Sequence, residues 1–138
     1  MQKIVLITLF YVMNLLVAQA QDTVTITATF KGMQSDTGNL YVGLYNKEAD
    51  FLKKRYKSQI VSVKNQQAMV KFTVPVGTYA ISSYHDENEN QKMDTSMFGI
   101  PKEPIGMSNN AKGFMGPPKY KDAKFEAKEN IQIIIQVQ

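Results

Sequence analysis

From residue 23 onward the chain repeatedly places apolar side chains at every second position, and that period commits those segments to strands. Thr23-Val-Thr-Ile-Thr-Ala-Thr-Phe30 puts Val24, Ile26, Ala28 and Phe30 on one face and threonines on the other. A helix would scatter these four residues around its axis, whereas a pleated strand turns them all the same way. The pattern returns at Leu40, Val42 and Leu44, at Ala68, Val70, Phe72 and Val74, at Ala123, Phe125 and Ala127, and at Ile131, Ile133, Ile135 and Val137. Ser58 to Val63 is a further β-type segment, and with Ala68 to Val74 it reads as a hairpin around the turn Lys64-Asn-Gln-Gln67. Pro75-Val-Gly77 starts a turn that feeds another strand reaching His85.

Only Lys47 to Lys54 has helical character, over two turns at most. Seven or so short strands with so little helix predict an all-β fold: an antiparallel two-sheet sandwich of immunoglobulin-like or transthyretin-like topology, with a small barrel as the alternative. The last strand is long and apolar enough to template edge pairing, so it is expected inside a sheet.

The first twenty residues follow a different rule. Lys3 precedes the apolar run Ile4 to Met13, and Ala18 and Ala20 supply a small-residue cleavage site. That order predicts a signal peptide over residues 1–20, cleaved after Ala20, and a single β-sandwich domain over 21–138. The apolar run is shorter than the roughly 20 residues a bilayer span needs. Every later apolar run is interrupted by polar or charged residues, so no membrane span is expected after cleavage. With no cysteine in the chain, neither a thiol-anchored lipoprotein nor a disulfide framework is available. The predicted address is periplasmic or secreted. The formal charge of +4 is spread along the sequence, and its densest run, Lys53-Lys-Arg-Tyr-Lys57, reads as a solvated element end. Nucleic acid is not an expected partner.

Glu87 to Lys119 is a long stretch rich in Asn, Gly, Pro and Met. Loops of that length in compact domains are functional or disordered. Met93, Met97, Phe98, Ile100, Ile105, Met107, Phe114 and Met115 are read as apolar anchors that fold it over one end of the sandwich.

At its start, Asp86, Asn88, Asn90 and Asp94 occupy positions 1, 3, 5 and 9 of a calcium loop, with a backbone carbonyl near Lys92 at position 7. Alternate residues of a tight turn can converge on one cation, so these residues form a candidate Ca2+ site. Gln91 stands where such loops carry glycine and Met97 where they carry a bidentate glutamate; Glu103 or Glu87 could complete the shell. The competing reading is a polar hairpin tip whose Asn and Asp side chains cap their own backbone.

His85, the only histidine, has no nucleophile to activate and reads as a structural residue at a strand end. The loop carboxylates Asp86, Glu87, Glu89, Asp94 and Glu103 could supply the acid/base pair of a glycoside hydrolase, which requires a fixed separation. A soft copper site from His85 with Met93, Met97, Met107 and Met115 competes with methionine as packing filler, and no two of these form a Met-x-Met pair.

Several blocks together resemble a known family: Pro75-Val-Gly-Thr-Tyr-Ala80, His85 to Asp94, Phe98-Gly-Ile-Pro-Lys-Glu-Pro-Ile-Gly106, Ser108-Asn-Asn110 and Gly116-Pro-Pro-Lys-Tyr-Lys-Asp-Ala-Lys-Phe125. The chain after residue 20 closely resembles the bacterial exported family called domain of unknown function 2141. The resemblance implies a periplasmic or secreted β-sandwich with no assigned activity.

The sequence thus points to a non-catalytic binding or interaction module for an extracytoplasmic ligand or envelope protein, with residues 85–119 as its working surface. A carbohydrate-active hydrolase and a purely structural envelope protein are the alternatives.

Overall fold

The computed structural model describes residues 21–138; the expected signal peptide lies outside the described residues. Eight strands form two facing sheets: β1 (Thr23–Lys31), β2 (Asn39–Tyr45), β3 (Lys57–Ser62), β4 (Gln67–Pro75), β5 (Gly77–Asp86), β6 (Ile105–Met107), β7 (Phe125–Ala127) and β8 (Ile131–Gln136). One sheet has the order β4-β1-β8 and the other β3-β2-β5-β6, with β7 also paired to β5. The all-β sandwich expected from the alternation is what forms, though not wholly antiparallel, because β8 joins β1 in parallel.

β1 is the centre of the smaller sheet, antiparallel to β4 from Thr23↔Pro75 to Lys31↔Gln67 and parallel to β8 from Ile26↔Ile131 to Lys31↔Gln136. Its alternate residues Val24, Ile26, Ala28 and Phe30 are buried, and Leu40, Leu44, Phe72, Ile81 and Ile135 join them in one core between the sheets. Each such large side chain contributes roughly 1.5–3 kcal/mol by leaving water.

The segments read as a hairpin do not pair with each other. β3 pairs with β2, while β4 pairs with β1 in the opposite sheet. Only a bridge between Lys64 and Gln67 closes the turn, and the Asp36 carboxylate accepts the Asn65 and Gln66 amides there at 2.9 and 2.7 Å. The turn therefore carries the chain from one sheet to the other. β4 has a complete apolar face to add to the core beside β1, whereas β3 has none, and burial decides which neighbour each strand takes.

The last strand is not inside its sheet as expected: β8 lies at an edge. The edge is closed beyond Gln136, where Ile105 and Gln138 exchange backbone hydrogen bonds of 3.1 and 3.0 Å between the two sheets. The helical character expected over Lys47 to Lys54 reduces to a 3-10 turn at Glu48–Asp50. A four-residue helix, α1 (Tyr120–Ala123), takes Ala123 out of the strand expected with Phe125 and Ala127, and only Phe125–Ala127 pairs as β7.

A second, smaller core lies on the outer face of the larger sheet, where Tyr45, Phe51, Ala80, Met107 and Ala123 are buried. Phe51 meets the rings of Tyr45 and Tyr120 edge-on at 5.2 and 5.6 Å.

The long stretch after β5 is also not continuous loop. β6 pairs with Ser82–Tyr84, and β7 pairs with Gly77–Tyr79. Between these two ladders Ile81 has no strand partner on that side. The fully buried Ser108 fills the gap: its hydroxyl accepts the Ile81 amide at 2.9 Å and donates to the Ala123 carbonyl at 2.6 Å. Asn109 donates to the Asp122 and Lys124 carbonyls, and the Asn110 carbonyl oxygen accepts the Gln136 amide. The Ser-Asn-Asn block is therefore a polar staple joining β5, α1 and β8.

Candidate functional site

Asp86 ends β5 almost completely buried, so the loop after it starts from a fixed point. Gly38, at φ +75°, packs on the backbone of Asp86, and a β-carbon there would overlap the Asp86 carbonyl oxygen. Beside it, His85 is fully buried. Its Nε2 donates to the Thr37 carbonyl at 2.7 Å, so that nitrogen holds the proton, while Nδ1 faces Glu87 at 3.4 Å. His85 thus ties β5 to the β1–β2 loop, the structural role read from the sequence.

Asp86, Asn88, Asn90 and Asp94 converge. The Asp86 carboxylate accepts the Asn90 amide at 3.2 Å and the Gln91 amide at 2.8 Å. Asn88 and Asn90 donate their side-chain amides to Asp94 at 2.6 and 2.8 Å. Lys92 takes part through its backbone amide, which donates to the Asn90 side-chain oxygen at 3.1 Å. The capping of backbone by Asn and Asp side chains is therefore present in full. Gln91, standing where calcium loops carry glycine, takes the glycine-like backbone anyway, with φ +65°.

Glu103 reaches the same cluster from the far side of a small hairpin. Its Oε2 accepts the Asp94 amide at 3.2 Å, and the Asp94 carbonyl accepts the Lys102 amide at 2.8 Å. Glu103 is 9 % exposed, and its Oε1 is buried with no hydrogen-bond partner. Burial pushes the Glu103 carboxyl above the ordinary carboxylate range, the Asp94 amide opposes this, and the facing carboxyls of Asp86 and Asp94 add to the rise. Asp94 moves the other way, held low by the amides of Asn88 and Asn90.

Among the described residues, no group of three or more His, Asp or Glu side chains is placed to hold a metal ion by itself. Any ion here must draw on amide and backbone oxygens as well, which suits a hard cation and not a transition metal. Sequence reasoning named Glu103 only as one of two ways to complete a shell; Glu87 is instead turned toward His85 and Ser35.

The expected anchors divide. Ile105 is half-buried and Met107 buried, whereas Met93, Met97, Phe98, Ile100, Phe114 and Met115 stand exposed and anchor nothing. With Met107 in the second core and Met97 and Met115 in solvent, these three methionines do not gather about the buried His85. A cavity of about 270 Å3 opens beside β6, bordered by Ile105, Met107, Asn110, Lys112 and Pro118. No helix among the described residues is long and apolar enough to cross a membrane.

No curated protein and no solved structure matches the chain. A family model does, over residues 28–134, which takes in both sheets, the acidic loop and the Ser108 staple. The chain belongs to the bacterial family described as an uncharacterized protein conserved in bacteria, domain of unknown function 2141.

Proposed function

We propose that this is an exported, non-catalytic binding module of the bacterial envelope, periplasmic or secreted, whose 86–94 loop is ordered by calcium and whose working surface is the 85–119 stretch. The observation that carries the calcium reading is Glu103: a buried carboxyl with one unpartnered oxygen, facing Asp86 and Asp94. An uncompensated buried carboxylate is costly, and a divalent cation relieves both its desolvation and its repulsion from its neighbours.

The donor set fits. Asp86, Asn88, Asn90, Asp94 and Glu103 with a backbone carbonyl near Lys92 approach the six to eight oxygens calcium takes. Turning the Asn88 and Asn90 amide oxygens onto the ion exchanges their bonds to the Asn90 and Lys92 backbone amides for coordination. Asp86 and Glu103 are buried against loop backbone and not spread across a cleft, which supports binding over glycoside hydrolysis.

The test is thermal unfolding of the processed protein in about 1 mM calcium and in chelator, repeated with Asp86→Ala. A calcium-dependent rise in Tm that the variant loses supports the reading. An equal Tm in both solutions means the loop is a self-capped polar turn.

A further inference from the structure

We propose that two apolar loop crests beside β6 insert into the headgroup region of an anionic phospholipid bilayer. The inference rests on the reading of residues 85–119 as the working surface and names its partner. The first crest is the hairpin above Glu103. It is closed by the bond from the Lys102 amide to the Asp94 carbonyl and by a bond from Ser96 N–H to the Ile100 carbonyl at 2.8 Å, with a bridge between Thr95 and Pro101. Its tip carries Met97 at 95 % exposure and Phe98 at 86 %. The second crest, Gly113 to Gly116, is a turn so tight that a β-carbon on Gly113 would overlap the Gly116 carbonyl oxygen. It carries Phe114 at 90 % and Met115 at 95 % exposure.

Both crests flank one short strand. The first leads into β6 through Pro104, whose carbonyl accepts the His85 amide, and the second follows the Ser108 staple; Ile105 and Gly113 border the same cavity. Charge names the partner. From Asp94 to Lys124 the chain has five lysines, Lys102, Lys112, Lys119, Lys121 and Lys124, against three acids, Asp94, Asp122 and Glu103, the last of them buried. Lysines flanking both apolar tips in the sequence are complementary to lipid phosphate above acyl chains. A protein interface of ordinary kind is one broad, closely packed patch, whereas these apolar side chains stand almost wholly in solvent on two short turns.

The chain has no tryptophan, so Phe98→Trp and Phe114→Trp are single-tryptophan reporters. The processed protein is mixed with vesicles of phosphatidylcholine alone and with about 30 % phosphatidylglycerol, in about 1 mM calcium. Sedimentation should show at least about tenfold tighter binding to the anionic vesicles, with a blue shift and quenching by brominated lipid at both reporters. Lys112→Glu should weaken binding at least about fivefold, the effect of one lysine near an anionic surface. The double variant Phe98→Ser, Phe114→Ser should bind at least about tenfold more weakly at unchanged Tm, since it removes apolar insertion and no packed contact.

Binding without a blue shift, or undiminished in the serine variant, is surface adsorption and overturns insertion. Dimer formation lost in the serine variant, without vesicle binding, assigns the crests to a second copy and overturns it too. If vesicles fail while the calcium shift in Tm remains, only the lipid inference falls.

Discussion

Glu103→Gln separates a calcium ligand from a merely buried acid, because the two roles predict opposite effects in the two solutions. Glutamine keeps the volume of glutamate and an oxygen for the Asp94 amide, but removes the charge that faces Asp86 and Asp94. In chelator the variant should be as stable as wild type or more so. The Glu103 carboxyl is raised in the folded state by burial first, so the folded protein holds its proton more tightly than the unfolded chain. The stability this gives is complete below the ordinary glutamate value and is lost as pH rises through the raised folded value. Wild type in chelator should therefore lose stability on going up from about pH 5. Glu103→Gln should lose less, and Asp94, held low, titrates beneath that window.

In calcium the order reverses. With a dissociation constant of order 10⁻⁴ M, as in extracellular modules, about 1 mM calcium stabilises wild type by about 1.4 kcal/mol. For a domain of this size that is a rise in Tm of about 5 °C. A tenfold loss of affinity on removing one charged ligand leaves about 0.4 kcal/mol, a rise of only 1–2 °C. The assay is a set of four melts at about pH 7.5, wild type and variant with and without calcium, then the same set near pH 5, where the wild-type increment should shrink. If Glu103→Gln lowers Tm in chelator and keeps the full calcium shift, Glu103 is a structural hydrogen-bond acceptor and the ligand argument fails.

Three further substitutions test how the scaffold holds the site. Ser108→Ala strands the buried Ile81 amide between two ladders and should cost about 1–3 kcal/mol, read as a lower urea midpoint and faster hydrogen exchange at Ile81; unchanged exchange there would refute the staple. Gly38→Ala combines a left-handed backbone with overlap on the Asp86 carbonyl and should cost about 2–4 kcal/mol while blunting the calcium shift. A full-sized shift at reduced stability would show that Gly38 does not position Asp86. Gln91→Gly removes a left-handed side-chain penalty and should gain about 0.5–1 kcal/mol, measured by chemical denaturation in chelator; a loss instead would mean that the Gln91 side chain itself holds the turn.

What was readable in the sequence is what local chemistry decides. Val24 to Phe30 alternate whatever surrounds them, and Asp86, Asn88 and Asn90 converge because a tight turn brings alternate residues together. The misreadings were long-range. Lys64 to Gln67 carries turn residues in any topology, and only the apolar face of β4 decides that the chain crosses to the other sheet. β6 is too short to show a period. Glu103 joins the acidic loop from beyond a hairpin, so no spacing rule points to it. The loop methionines and phenylalanines looked like anchors because composition counts apolar residues without saying which are covered.

The return of Glu103 and the exposure of Met97 and Phe98 have one structural origin. The hairpin that returns Glu103 to Asp94 is the hairpin that lifts Met97 and Phe98 into solvent, closed at its base by the Lys102–Asp94 backbone bond. Ordering its base with a cation and fixing the orientation of its crest are therefore one event. On that geometry, removing calcium should weaken anionic-vesicle binding at the Phe98 crest more than at Phe114, whose turn follows the Ser108-Asn-Asn110 staple in the chain and is not part of the hairpin based on Asp94. The two tryptophan reporters measure this directly. An equal loss of blue shift at both sites would mean that calcium acts through the lipid phosphates and not through the loop.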